Sequence, residues 1–477
     1  MAPSTRHITW IAAAEAVALM AVAAAALMLL PVAEAMRATA ALAVAYLVPR
    51  ALCVRSHCAT MAGRAVLLAA ALGLAAIALP FLHHCTVACG ASFAMPSLTG
   101  DASQYYDWAL AHYDGSAVEP KVTFWGYSML IIALWRVLGV SVIWPVAANV
   151  LATLVTIVLA GRLAARVAVT RPQRAATLAM AMTAVLAYFM SQGAQMLKEP
   201  WVYLAITLVA HSLLPGANSE QRAANSEQRG SLLPTPYSLL LMFALGCIIL
   251  AAVRAKYVNF VLVGVVMMAL AARMRQWRYH AALLLIALAG WVLGMAMTDH
   301  YTVVQQVNNV TGEGGMATMF AADGAYQRLM GDYFSYSVWQ RMLHLPLACG
   351  VQWVIPFPWL PQDEPATWLS VAPRLRLGWY VLSGVVLYFY LFRSWRRGWS
   401  WAAWAWLPMV CAVAIAYMTG GTVSRYILPF QPWWMALAAV TVLTCWHRRS
   451  FGLFMVAYIA LMATVLVLCH QAVVINP

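Results

Sequence analysis

Apolar, almost uncharged runs recur along the whole chain, and this recurrence constrains the fold more than any single motif. An α-helix needs about 20 such residues, at about 1.5 Å per residue, to cross a bilayer. Across 477 residues, 64% are hydrophobic and 9% are charged, which is too little polar surface for a soluble fold. The runs lack the two-residue alternation of a membrane barrel. The sequence therefore predicts an all-α, polytopic membrane protein.

We expect about thirteen transmembrane helices from these runs. They lie at residues 8–30, 37–54, 64–82, 142–161, 175–192, 200–214, 237–253, 257–272, 279–298, 376–393, 400–418, 427–446 and 451–472.

The charges indicate which ends of the spans share a side. Lys and Arg favour the cytoplasmic side of a membrane, and an inner N-terminus places most arginines inside and most acids outside. This threading requires that residues 126–140 do not cross, so we expect an interfacial helix there. The net charge of +14 then reflects this bias and contact with anionic membrane lipids, and no nucleic-acid partner is expected. We place the chain in a bacterial cytoplasmic (inner) membrane.

Asp101 is the main candidate for chemistry in the first large outer loop. Acids are scarce in this chain, with 15 Asp and Glu in total, and Asp101 follows an apolar helix that leaves the membrane. Such a carboxylate is a candidate for chemistry on a membrane-delivered substrate. The neighbouring Tyr105 and Tyr106 are expected either to stack on that substrate or to anchor the loop at the interface.

Basic residues on the outer face form a second group of candidates. They contradict the positive-inside trend. The paired N–H donors of an Arg guanidinium match the geometry of a phosphate group, so these residues are candidates for phosphate binding. Two alternatives to a substrate site are considered. The basic side chains could extend to the phosphates of membrane lipids, and Lys198 could form an ion pair with Glu199. The group, with its neighbours, comprises Lys121, Lys198, Glu199, Arg254, Lys256, Arg425 and Tyr426.

Cys85 and Cys89 are the closest cysteine pair on the outer side. An oxidising compartment would allow a disulfide between them, and free thiols are the other expectation. Metal binding with His83 and His84 is the alternative, although the spacing matches no standard zinc pattern. We predict no metal ligands and no definite cofactor, and a divalent metal ion stays compatible with the site.

The order of several short motifs resembles the GT-C class of polyprenyl-phosphate-dependent glycosyltransferases. The motifs are the loop acid Asp101, a helix opened by Gly126-Tyr127, the outer acid Glu199 and the late Arg425-Tyr426 before a proline. Protein O-mannosyltransferases and lipid A aminoarabinose transferases belong to this class. The resemblance covers about residues 64–272 and 419–432.

The resemblance implies an inverting transfer of a sugar from a polyprenyl-phosphate-linked donor to a lipid, glycan or protein acceptor. Asp101 would be the general base and Glu199 the second catalytic acid. Relatives commonly have Pro before the surface helix and often a second acid after the loop Asp, where this chain has Trp125 and Ala102. The resemblance also places Arg254 and Arg425 where basic residues hold the donor phosphate. From the residues themselves, we add Lys256 and Tyr426 to the donor-phosphate site and expect substrate binding by Tyr105, Tyr106, Lys121 and Lys198.

The same features divide the chain into three parts. The expected catalytic module, residues 1–298, includes the outer loop 83–125 and the interfacial helix 126–140. Residues 299–375 are expected to form an outer loop or lid, and residues 376–477 a C-terminal set of transmembrane helices. A lipid-linked polysaccharide polymerase or ligase is the alternative function, and a membrane transporter is a third.

Overall fold

The protein is α-helical throughout the part of the chain that the structure describes. This computed structural model describes residues 5–54, 56, 58–85, 100–116, 125–214, 236–271, 277–297, 333, 336–354, 372–419 and 426–470. No β-strand occurs among these residues, so the predicted all-α class is confirmed.

Seventeen helices and two short 3-10 turns contain most of these residues. The 3-10 turns lie at Ser394–Arg397 and Leu428–Phe430. The helices are α1 Thr5–Leu29, α2 Val32–Val54, α3 Met61–His83, α4 Gly100–Tyr113, α5 Trp125–Leu138, α6 Ile143–Val167, α7 Pro172–Ala184, α8 Ala187–Gly193, α9 Glu199–Leu213, α10 Pro236–Arg254, α11 Lys256–Ala271, α12 Trp277–Met297, α13 Val338–Val354, α14 Ala372–Phe392, α15 Trp399–Thr419, α16 Gln431–Cys445 and α17 Arg449–His470.

Eight segments of the described chain are helices long and apolar enough to cross a membrane, and one bent pair raises the number to nine. Four shorter apolar helices fall at α5, α11, α12 and α14. Each of the thirteen predicted spans coincides with a helix or with the bent pair. The number of crossings stays a prediction, because these helices qualify by length and composition only.

The predicted span at 175–192 is divided into α7 and α8, which meet at an angle of 73°. Leu186 leaves the helical conformation with a ψ of 105°. At the end of α8, a Cβ on Gly193 would lie 2.4 Å from Thr153 Oγ1, so the close approach of α8 to α6 requires glycine. A continuous apolar run could not reveal this bend.

Helix α13 lies inside the region that was expected to form an outer loop. Its apolar residues recur at helical spacing among polar ones, so the sequence contains no continuous apolar run there. Tyr333, before this helix, donates from its hydroxyl to the carbonyl of Tyr417, 2.8 Å away, near the end of α15. Most other residues of 299–375 lie outside the described part of the chain.

Helices α6 and α16 form the centre of the bundle, and α1 and α17 lie at its edge. Most residues of α6 and α16 are buried, as expected for helices at the centre of a bundle. The edge helices expose large apolar side chains such as Met28 and Leu453, with exposed fractions of 87% and 72%. Lipid contact accounts for this exposure in a membrane protein.

Hydrogen bonds show which helix ends meet at one end of the bundle, here called the basic end. Arg397 Nη1 donates to the carbonyl of Val167 at 2.7 Å, and Arg166 Nη1 donates to the carbonyl of His211 at 2.9 Å. The first pair joins the 3-10 turn after α14 to the end of α6, and the second joins α6 to the end of α9. The start of α9 and the start of α6 therefore lie at the opposite end, here called the site end.

Candidate active site

Four separate segments bring charged and aromatic side chains together at the site end. They are α4, the start of α9, the junction between α10 and α11, and Tyr426, two residues before the second 3-10 turn. We call the resulting group the Glu199 cluster. It consists of Tyr105, Lys198, Glu199, Arg254, Lys256, Tyr257 and Tyr426.

A buried ion pair joins Glu199 to Arg254. Arg254 Nη1 lies 3.2 Å from Glu199 Oε1, and the two side chains are 8% and 3% exposed. Glu199 is the first residue of α9 and Arg254 is the last residue of α10. A carboxylate at a helix N-terminus and a cation at a helix C-terminus are both favoured by the helix dipoles. Pro200, in the first turn of α9, has a backbone angle suited to starting the helix there.

The ion-pair partner of Glu199 is not Lys198, the alternative that the sequence suggested. Arg254, not Lys198, forms the ion pair with the carboxylate. Lys198 instead places Nζ 5.4 Å from the centre of the Tyr105 ring. The second carboxylate oxygen, Glu199 Oε2, is buried and accepts no hydrogen bond from the described residues. A buried oxygen without a donor is unusual in a native structure, and a substrate hydroxyl is one group that would supply the missing proton.

Two cations converge on the ring of Tyr426. The guanidinium carbon of Arg254 lies 4.7 Å from the ring centre, and Lys256 Nζ lies 3.7 Å from it. Such cation–π contacts are worth about 0.5–2 kcal/mol. The Tyr257 hydroxyl donates to the Tyr426 carbonyl at 2.8 Å, which joins this segment to α11. Among the described side chains, the cluster therefore holds two cations side by side, an arrangement that attracts an anion.

Tyr105 and Tyr106 are enclosed by other aromatic side chains. The Tyr105 ring meets Tyr127 edge to face at 5.2 Å, and Tyr106 meets Trp135 at 5.4 Å. Tyr105 and Tyr106 are 0% and 1% exposed. Burial raises the pKa of Tyr106 to about 12, so its phenol stays protonated at neutral pH. In this structure Tyr106 packs α4 against α5, whereas Tyr105 also faces Lys198.

Three of the predicted site residues cannot be placed with the cluster. Asp101 lies in the first turn of α4, four residues before Tyr105, but its side chain is outside the described part of the structure. Lys121 and Arg425 lie in residues 117–124 and 420–425, which are also outside it. Their roles stay predictions.

Sequence reasoning missed Tyr257 and Asn149. Tyr257 directly follows Lys256, and its ring centre lies 5.7 Å from the Arg254 guanidinium carbon. Asn149 is a fully buried amide in the first half of α6 that contacts the turn before Glu199. A lone asparagine within an apolar span is the signal that would have identified it.

The metal and disulfide alternatives concern residues that are partly outside the described chain. Among the described residues, no group of three or more His, Cys, Asp or Glu side chains is placed to hold a metal. The side chain of Asp101 lies outside these residues. Cys85 is buried two residues after the end of α3, and Cys89 lies outside the described residues.

Comparisons with known proteins identify no family for this chain. No protein-family model matches it, and no curated protein matches it. Among solved structures, it is similar to the archaeal oligosaccharyltransferase AglB from Archaeoglobus fulgidus, in complex with an inhibitory peptide and a dolichol-phosphate. The TM-score is 0.42 and the identity 12%, over 86% of this chain and 54% of that chain. The chain thus spans about half the length of AglB, and a TM-score this low does not establish a common fold.

Proposed function

We propose that the chain is an integral membrane glycosyltransferase that moves a sugar from a polyprenyl-phosphate-linked donor to a lipid, glycan or protein acceptor. The observation that carries this proposal is the convergence of Arg254 and Lys256 on Tyr426, beside the buried carboxylate of Glu199. Cations at this position suit a phosphate that stays at a membrane surface while its isoprenoid chain stays in the bilayer.

The donor phosphate would bind to Arg254 and Lys256, with Arg425 and Tyr426 completing the site. Arg254 is held from two sides, by Glu199 Oε1 at 3.2 Å and by the Tyr426 ring at 4.7 Å. A preorganised cation stabilises charge that develops on a leaving group without reorganising during the reaction. The polyprenyl phosphate would leave as an anion against this surface.

Asp101 would act as the general base. It would accept the proton of the acceptor hydroxyl while that oxygen forms a bond to the anomeric carbon and the bond from this carbon to the phosphate oxygen breaks. A single displacement of this kind inverts the anomeric centre. Residues four apart on a helix share a face, which supports a position of Asp101 near the side of α4 that carries Tyr105. Glu199 Oε2 would accept a hydroxyl of the bound sugar.

The outer face of a bacterial inner membrane is the proposed location of the site. The cluster lies at the end of the bundle opposite Arg166 and Arg397. Because basic residues favour the cytoplasmic side, the cluster would face the periplasm. Residues 1–298 would then be the catalytic module, to which the C-terminal helices contribute Tyr426.

A lipid-linked glycan polymerase or ligase is the second candidate. Helix α13 packs against α15, and Tyr333 before it bonds the Tyr417 carbonyl. Helical structure between residues 299 and 375 suits recognition of a larger acceptor. Transport is supported less well. Glu15 is the one acid that lies clearly within an apolar run of the sequence, and its carboxylate already accepts hydrogen bonds from Arg50 at 2.7 Å and Tyr46 at 2.8 Å.

Analysis of lipid-linked sugars in a strain that lacks the gene tests this proposal. Mass spectrometry of the membrane lipids should show accumulation of a sugar bound to polyprenyl monophosphate, and complementation with the intact gene should remove it. Accumulation of a diphosphate-linked oligosaccharide would instead support the polymerase or ligase. An unchanged lipid-linked pool would contradict both.

A further inference from the structure

Both polar atoms of the Asn149 side-chain amide form hydrogen bonds, and these bonds connect three other segments at the site end to α6. Its Nδ2 lies 2.6 Å from the carbonyl oxygen of Leu197, 2.7 Å from that of Gln195 and 2.9 Å from the Tyr127 hydroxyl. Its Oδ1 accepts a hydrogen bond from Trp201 Nε1 at 2.9 Å. The amide thus connects α6 to α5, to the turn between α8 and α9, and to the first turn of α9.

The turn at residues 194–198 depends on these contacts because it is not helical. Carbonyls outside a helix lack the regular i−4 bonding pattern, and a buried carbonyl without a donor is costly. Only an amide supplies donors to the two carbonyls and an acceptor to Trp201 at the same time. A carboxylate in the same shape would face the carbonyls with negative charge.

We propose that Asn149 is a positioning residue that holds the turn carrying Lys198 and Glu199 against Arg254. Glu199 begins α9 directly after the turn, and Asn149 bonds the carbonyl two residues before it. The 3.2 Å ion pair between Glu199 and Arg254 therefore depends on an amide that touches neither side chain. The effect on catalysis rests on the proposed function, whereas the effect on the turn does not.

Cysteine protection tests the turn without any substrate. Met196, in the middle of the turn, is fully buried, so in the full-length protein Met196→Cys should react slowly with a maleimide. The native cysteines are corrected for with the protein that lacks this substitution. Adding Asn149→Asp should raise the labelling rate about tenfold or more. The Leu197 carbonyl then loses the Asn149 donor, the Gln195 carbonyl keeps only its backbone bond from Leu197, and the turn opens. An unchanged rate would overturn the proposal.

Thr156→Val is the matched control for the labelling. Thr156 is also fully buried on α6, but its hydroxyl bonds within the helix, to the Ala152 carbonyl at 2.7 Å. Its replacement should leave the labelling rate of Met196→Cys unchanged. An equal increase in this control would show general loosening of α6 and would overturn the proposal. Asn149→Ser, which cannot reach the turn, replaces Asn149→Asp if the latter does not fold.

The pH dependence of Asn149→Asp separates positioning from loss of folded protein. At low pH the introduced carboxyl is protonated, and its O–H then donates to one of the two carbonyls. The transfer activity of the variant relative to wild type should therefore recover as the pH is lowered. Three other titratable residues lie near the introduced carboxyl: Tyr127, which contacts it, and Lys198 and Glu199. Both the variant and the wild type contain all three. Dividing the variant's activity by the wild-type activity at each pH therefore cancels the effect of their titration.

A ratio that is constant with pH would overturn the positioning role. If wild type transfers no sugar from any lipid-linked donor, the proposed function fails, while the labelling experiment still decides the role of Asn149.

Discussion

Glu199 Oε1 and Arg254 Nη1 lie 3.2 Å apart although 55 residues separate them in the chain. The pair joins the first residue of α9 to the last residue of α10, and both side chains are buried. Removing one member of such a pair leaves a buried charge without compensation.

Arg254→Met should therefore lower the free energy of unfolding by about 3–5 kcal/mol. Glu199→Gln should also destabilise the protein, because it leaves the Arg254 charge without its ion-pair partner. The double variant should lose less than the sum of the two single variants, since it buries neither charge. Denaturation in mixed detergent micelles measures all three, and additive losses would show that the pair is not coupled.

Asp101→Asn should reduce sugar transfer by about 10²–10⁴-fold, the usual contribution of a general base. The substitution keeps the size of the side chain in the first turn of α4, so the amount of folded, inserted protein should not change. Transfer assays in membranes with a lipid-linked donor, combined with size-exclusion profiles, measure both. Full activity of the variant would remove Asp101 from the mechanism.

Tyr426→Leu should weaken binding of polyprenyl phosphate, whereas Tyr426→Phe should bind it nearly as well as wild type. Both variants keep the backbone carbonyl that Tyr257 bonds, but only phenylalanine keeps a ring against Arg254 and Lys256. A lost cation–π contact is worth about 0.5–2 kcal/mol. Thermal stabilisation by added polyprenyl phosphate compares the two, and equal binding by both variants would exclude a role for the ring.

Gly126→Ala should prevent α5 from packing against α10. A Cβ at this position would lie 2.1 Å from the carbonyl oxygen of Ala252, two residues before Arg254. The backbone cannot yield as a flexible side chain does, so we expect loss of stability and of donor binding together. Gly452→Ala in α17 is the control, because a Cβ there meets no atom within 4 Å. Equal stability of the two variants would contradict the close contact.

The chain's own sequence determined that it is a helical membrane protein, and it identified most of the segments that form the cluster. A segment of about 20 residues is enough for this prediction, because its preference for the bilayer depends on its own composition. The positive-inside trend similarly separated Arg166 and Arg397 from Glu199 and Arg254, which the structure places at opposite ends.

Only the tertiary structure decided which charges meet. Lys198 adjoins Glu199 in sequence, yet Arg254 is the partner because α9 packs along α10 and brings their ends together. The bend between α7 and α8 and the contacts of Asn149 likewise depend on neighbouring helices. No local pattern records these distances, since each is set by packing between segments that lie far apart in the chain.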